Sequence, residues 1–299
     1  MTATVTTVPP ARRMHSIGAL LTLRRYITRR DLQVALGLLW LLDGVLQAQP
    51  FMFTSDFATQ VIAPTGQEQP ELVAAPVQWV STAIAAHPVP WNAAFAAVQL
   101  LIGAGLLLPR TARSALTASI AWGLGVWFFA EGLSGIAGGD ASLSAGAPGA
   151  ALLLAVLAAA AWPDRDASSE PPARWLPLAW AIVWIGGAVF EAAQGGSSVL
   201  VVAEYLVGVG GLYARTRVPA AALGLALSLA FWGFDQAFGT LTSGQATDPN
   251  SGPVLVLMAL AVMGTGTVAV SRQAVRRKGS RTAGPAAGTS LPLAPRSAS

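Results

Sequence analysis

The chain has 299 residues, of which 54% are hydrophobic and 11% are charged, with a net charge of +4. A soluble domain carries about a quarter charged residues, so this composition excludes an ordinary soluble fold and predicts an integral membrane protein. The chain contains no Cys, which excludes disulfides, Fe–S clusters and Cys-based zinc sites, and neither His lies in an apolar segment, which excludes haem between paired buried histidines.

The basic residues predict how the chain crosses the membrane. All eighteen Lys and Arg fall into five short clusters: Arg12 to Arg30, Arg110 with Arg113, Arg165 with Arg174, Arg215 with Arg217, and Arg272 to Arg296. Lys and Arg accumulate on the cytoplasmic side because translocating them is costly. We therefore expect both termini to be cytoplasmic in a bacterial-type inner membrane. The basic residues then contact anionic lipid headgroups, and nucleic acid is not an expected partner.

The predicted elements begin with residues 1–31, a disordered arm followed by a basic amphipathic helix at 14–31 on the inner membrane face. Eight transmembrane helices follow, at 33–49, 93–109, 114–134, 148–163, 175–194, 198–213, 218–238 and 253–271. The outer loops between them are 50–92, 135–147, 195–197 and 239–252. A cytoplasmic linker at 164–174 joins the two halves, and a basic tail at 272–299 is predicted to be disordered.

Two of the outer loops carry further signals. In the first loop, residues 70–86 alternate apolar and polar positions at helical spacing, which predicts a short helix on the outer surface. In the last loop, residues 244–252 are rich in Gly, Asp, Asn and Ser. This composition favours a turn capped by Asx hydrogen bonds, and the alternative is the mouth of a pocket.

The two halves of the chain repeat each other. A shift of 105 residues pairs Gln99 with Glu204, Gly103 with Gly208, Gly105 with Gly210, Arg110 with Arg215, Trp127 with Trp232, Phe129 with Phe234 and Pro148 with Pro253, and one residue of slack pairs Glu131 with Asp235. Before the long loop, a shift of 144 pairs Trp40 with Trp184 and Gln47 with Glu191. The fold class predicted is all-α, with two parallel four-helix repeats at 32–163 and 175–271.

Five carboxyl groups lie within the predicted spans and have no basic residue to pair with there. They are Asp43, Glu131, Glu191, Glu204 and Asp235, and Gln47 and Gln99 are at matching positions. Charged groups are costly in hydrocarbon, so such residues normally face a bundle interior or a wet cavity. All seven fall in the outer half of the predicted bundle. We expect one outward-open pocket per repeat, whose carboxyls are protonated or hold a cation; the alternative is that they satisfy loop amides and indole N–H groups structurally.

No soluble-type catalytic motif is present: the chain has no Walker loop, HExxH, nucleophile elbow or Rossmann fingerprint. We therefore lean away from an enzyme and specify neither a cofactor nor a metal. The segment Leu36 to Gln47, LGLLWLLDGVLQ, resembles the first helix of DoxX-like membrane proteins, although that family usually has Lys where this chain has Gln47. The resemblance implies a four-helix membrane component that supports a redox or quinone-linked partner.

Three functional hypotheses follow from the sequence. The first is a DoxX-like membrane component with an outward-facing cavity lined by carboxyls, which binds a cation, a proton or a small polar or lipidic ligand. The second is a proton- or cation-coupled transporter or exporter that uses Glu204, Glu131 and Asp235 as relays. The third is a purely structural membrane subunit, in which the acids serve no ligand.

Overall fold

The structure is a computed structural model that describes residues 27–163 and 170–265. Within those ranges the chain forms helices and turns and no strand, which confirms the all-helical prediction for this part of the chain. Most of the predicted interfacial helix, the tail at 272–299 and residues 164–169 of the linker lie outside the described residues.

The α-helices in chain order are α1 Arg29–Gln47, α2 Glu71–Ala86, α3 Pro88–Leu107, α4 Ala112–Phe129, α5 Ala150–Ala160, α6 Leu176–Ala193, α7 Ser198–Leu212, α8 Arg217–Ala230 and α9, described over Ser251–Thr265. Short 3₁₀ helices lie at Pro50–Phe53, Ala63–Gly66, Gly132–Gly135 and Ala237–Thr240, and π-helical turns at Phe57–Ile62 and Phe231–Asp235. The helix predicted at 70–86 is confirmed as α2.

Local chemistry explains where the helix ends differ from the predicted ends. The helix α1 begins at Arg29, inside the predicted basic interfacial helix, because Thr28 and Asp31 form a capping box: the Asp31 N–H donates to Thr28 Oγ1 over 3.1 Å, and the Thr28 N–H to Asp31 Oδ2 over 3.0 Å. The helix α3 begins at Pro88, five residues before the predicted start, because proline suits the first helical turn.

The surface of the helices indicates a membrane location. Three of them are long and apolar enough to cross a bilayer: Pro88–Leu107, Leu176–Ala193, and α8 with its π-helical end, Arg217–Asp235. Large apolar side chains also remain exposed on other helices, for example Leu38 (57%) and Val45 (62%) on α1. Apolar faces of this extent are unusual on soluble monomers.

Small residues set the closest helix contacts. The helix α1 packs along α3, and α6 packs along α7 in the same way. A Cβ atom added to Gly103 would lie 2.8 Å from the carbonyl oxygen of Gly37, and one added to Gly208 would lie 3.2 Å from that of Ala181. Side chains at these two glycines would force the paired helices apart.

Both halves share one hydrophobic core, which contains side chains from α1 to α9 other than those of α2. The helices α5 and α9 are buried around most of their circumference, so they lie inside this core. The Arg residues at the starts of α1 and α8 cap the ends of neighbouring helices: Arg30 donates to the Leu106 carbonyl over 2.8 Å, and Arg217 to the Gly211 carbonyl over 2.9 Å. These contacts gather the described Arg residues at one end of the bundle.

Candidate functional site

A cavity of about 750 Å³ lies in the first half, at the end of the bundle opposite the Arg residues. Its walls come from the C-terminal halves of α1 and α4, the first three turns of α3, the start of α5, the segment 57–84 and the loop between α4 and α5. Three residues of the second half, Thr247, Asp248 and Asn250, complete it. Four of the residues singled out in the sequence line this cavity: Asp43, Gln47, Gln99 and Glu131.

Two buried oxygen atoms in this cavity have no hydrogen-bond partner in the protein. Asp43 on α1 is 3% exposed, and its Oδ1 is unpartnered. Gln99, about three turns into α3, is 8% exposed, and its Oε1 is unpartnered. A buried polar atom without a partner is costly, so such atoms are rare unless a ligand or water satisfies them.

Aromatic side chains also line this cavity. Phe95 lies between Trp91 and Trp122, with ring centroids 5.8 Å and 5.6 Å apart. The Trp122 Nε1–H is buried and has no partner, whereas the Trp40 Nε1–H donates to Ser119 Oγ over 2.8 Å. The cavity therefore offers an indole donor at Trp122 and indole and phenyl surfaces elsewhere.

Glu131 lies just beyond α4, where the backbone turns left-handed. Gly132, Leu133, Ser134 and Gly135 have φ values between +53° and +79°, a conformation that costs about 1–2 kcal/mol for each non-glycine residue. This turn ends α4 at Phe129, short of the predicted 134, and positions the carboxyl of Glu131 over the start of α5. There Glu131 Oε1 accepts the Ala151 N–H over 3.1 Å, and Oε2 accepts the Ser134 hydroxyl over 3.4 Å.

Gln236, which the sequence comparison missed, occupies the corresponding place in the second half. It is 6% exposed, and its Oε1 accepts the Gly252 N–H at the start of α9 over 3.1 Å. The same left-handed turn follows it, with φ between +45° and +66° at residues 237–240. A shift of 105 residues pairs Glu131 with Gln236. The sequence analysis allowed one residue of slack and paired Glu131 with Asp235 instead, but Asp235 is exposed and does not line the cavity.

Two further candidate residues, Glu191 and Gln47, make hydrogen bonds to neighbouring protein groups. Glu191 accepts the Ser197 N–H over 3.2 Å in the turn between α6 and α7, outside the cavity. Gln47 reaches the cavity, but its amide N–H donates to Asn92 Oδ1, while the Asn92 amide donates to the Gln47 carbonyl over 2.7 Å. This pair fixes the end of α1 against the start of α3.

Glu204 is buried, at 1% exposed, and its Oε2 has no partner, but it does not line the first-half cavity. Its counterpart Gln99 faces open space, whereas Leu143, from the loop after α4, fills the space beside Glu204. A Cβ atom on Gly187, 144 residues after Asp43, would lie 2.2 Å from Leu143 Cδ1 and 3.3 Å from Glu204 Oε2. Leu143 therefore fills the space at this place, and the expectation of one pocket in each half stays a prediction.

The two halves exchange loops at this end of the bundle. Gln194 and Gln236 of the second half donate to the carbonyls of Ala141 and Ser144 over 2.9 Å and 3.2 Å. In return, Asp248 lines the first-half cavity. Its Oδ1 accepts the Asn250 N–H over 2.6 Å, so residues 244–252 form both the Asx turn and part of the pocket.

Comparisons with family models, with curated proteins and with solved structures find no match to this chain. No group of three or more His, Asp or Glu residues in the described parts of the chain is arranged to hold a metal ion. The arrangement is suited to binding a small molecule through hydrogen-bond acceptors and aromatic surfaces.

Proposed function

We propose that this chain is a ligand-binding integral membrane protein, in which two four-helix repeats of the same orientation supply eight transmembrane helices. The ligand enters the first-half cavity from the outer side. Three helices qualify as spans by length and composition, and the exposed apolar face of α1 extends that interpretation to a further helix. The matched turns after α4 and α8 support a duplication, since the same run of four residues with positive φ recurs 105 residues later.

The main support for ligand binding is a pair of buried oxygen atoms without hydrogen-bond partners, on Asp43 and Gln99, inside one cavity. A structural role for these residues would leave them bonded to neighbouring protein groups, as Glu191 and Gln47 are. Volumes of about 300–1,000 Å³ are typical of small-molecule pockets. Residues 36–47 resemble the first helix of DoxX-like membrane proteins. We therefore propose that the chain is a DoxX-like membrane component and that its ligand links it to a membrane or redox partner.

Cavity occupancy is testable without knowing the ligand, because two glycines provide a matched pair. A Cβ atom at Gly125, which lines the cavity, or at Gly186 on α6, which does not, would have no neighbour within 4 Å. We expect native mass spectrometry of the wild type and of Gly186→Phe, purified in mild detergent, to show a bound small molecule that Gly125→Phe lacks. Retention of that molecule in Gly125→Phe, or its absence from all three proteins, would contradict the proposed binding role.

The same purification addresses the proposed partner. Identification of the proteins that accompany the wild type in mild detergent is expected to return a redox enzyme of the membrane. A protein that purifies alone, under conditions that keep other membrane complexes intact, would contradict the DoxX-like part of the proposal while leaving ligand binding in place.

A further inference from the structure

The charge of the cavity lining has one sign. Four acidic residues line it, Asp43, Glu131, Asp140 and Asp248, and none of its lining residues is Lys, Arg or His. Asp43, Glu131 and Asp248 line the same cavity, so their carboxylates repel one another when they are ionised. A ligand that carries positive charge would relieve this repulsion, whereas an anionic ligand would increase it.

The aromatic wall suits the same kind of ligand. The faces of indole and phenyl rings attract cations, most strongly when water is excluded. Trp40, Phe95 and Trp122 line the same cavity as Asp43 and Gln99. A cationic head in this cavity can contact acceptor oxygens and ring faces together.

A bare metal ion does not fit this arrangement. Calcium takes six to eight oxygen ligands, and magnesium requires near-octahedral oxygen coordination. Here the Glu131 and Asp248 oxygens already accept hydrogen bonds from the protein, and the two unpartnered oxygens belong to Asp43 and Gln99. Apolar and aromatic walls around a volume of about 750 Å³ match an organic body instead.

We propose that the ligand of this cavity is an organic cation, an amine or quaternary ammonium carried on an aromatic or branched apolar body. The inference rests on the proposed function and adds the chemical class of the ligand. The cationic head lies against Asp43 Oδ1 and Gln99 Oε1, and the apolar body packs on the wall formed by Trp91, Phe95 and Trp122.

The test compares benzyltrimethylammonium with neopentylbenzene, in which carbon replaces the charged nitrogen at the same shape. Binding to the purified protein in lipid nanodiscs is followed by tryptophan fluorescence and by thermal stability, since a ligand that binds only the folded protein raises its melting temperature. We expect the cation to bind at least about tenfold more tightly than its neutral isostere. Asp43→Asn should remove that preference, and the surface variant Asp235→Asn should keep it.

A short-chain benzoquinone tests the main competing class, a neutral acceptor that would use the Trp122 N–H. Trp122→Phe keeps a ring and removes this donor, so a benzoquinone that binds through the N–H should bind the wild type and not this variant. Equal binding of the cation and its isostere, or binding of the benzoquinone alone and its loss in Trp122→Phe, would overturn the organic cation while the cavity remains a binding site. Loss of cation preference in both Asp235→Asn and Asp43→Asn would also overturn it. The proposed function is tested separately by native mass spectrometry of Gly125→Phe, because that measurement detects any bound ligand whatever its class.

Discussion

At the residue scale, Glu131 and Gln236 show which polar groups the fold needs and which it does not. Each accepts a backbone N–H from the second residue of the following helix, over 3.1 Å in both cases. The fold is served equally by a carboxylate and by an amide. A carboxyl group is therefore not required for the cap, and in the first half it faces the cavity.

This equivalence predicts the effect of two substitutions. Glu131→Gln should leave the free energy of unfolding nearly unchanged, because the amide oxygen can accept the same Ala151 N–H. Glu131→Ala should lower it by about 1–2 kcal/mol, as loss of a helix cap does. Thermal unfolding in detergent measures both, with Asp235→Asn as the surface control. A large loss of stability in Glu131→Gln would mean that the carboxylate has a structural role beyond this cap.

The sequence was informative about residues inside regular helices. The spacing of Asp43 and Gln47 on α1, and the position of Gln99 on α3, predicted residues at a common level of the bundle, and all three line the cavity. It failed just beyond helix ends. Asp235 and Gln236 are neighbours, and only the π-helical turn with the left-handed turn after it decides which of them points inward.

At the scale of elements, the loop after α4 determines why the halves differ. Its Leu143 is 3% exposed and fills the space beside Gly187 and Glu204. In the first half the corresponding position carries Asp43, and the space stays open. A single apolar side chain from the first half thus fills the space beside Glu204, whereas the space beside Asp43 stays open.

Truncation of that side chain has a predicted cost. Leu143→Ala should lower the free energy of unfolding by about 2–5 kcal/mol, because it removes buried methyl groups and leaves a cavity beside Glu204. Leu38→Ala, on the exposed face of α1, removes the same atoms from a side chain that is 57% exposed and is the matched control. Chemical or thermal unfolding in detergent would compare the two. Equal losses would show that Leu143 does not fill this space.

The helices themselves were predictable, because apolar runs of helical length and the position of Arg residues mark them. Their ends were less so, since a capping box moved the start of α1 and paired prolines moved that of α3. The segment 50–66 was expected to be loop and contains 3₁₀ and π-helical turns that wall the cavity. Its short irregular turns follow tertiary contacts with α2, which a hydrophobic pattern does not record.

At the scale of the molecule, the two halves of the chain share one core, and their loops cross over at the end away from the Arg residues. The cavity is consequently a joint product: α1 and α3 to α5, with segment 57–84, supply most of its walls, and Asp248 comes from the second half. The shared core explains why neither half is expected to bind ligand alone. The matching positions in the two halves were visible in the sequence. The sequence did not show that one half has open space where the other is filled, because this depends on which loop side chain packs into which half.

The central claim is that this cavity faces the outside of a membrane that the chain spans, with the Arg-rich end inside. The natural absence of Cys makes single introduced thiols specific reporters. Ala145 is exposed at the cavity, and Ser114 is exposed at the opposite end. In intact cells that produce each variant, we expect a membrane-impermeant maleimide to label Ala145→Cys, and to label Ser114→Cys only after permeabilisation. Labelling of Ser114→Cys in intact cells, with Ala145→Cys protected, would contradict the account.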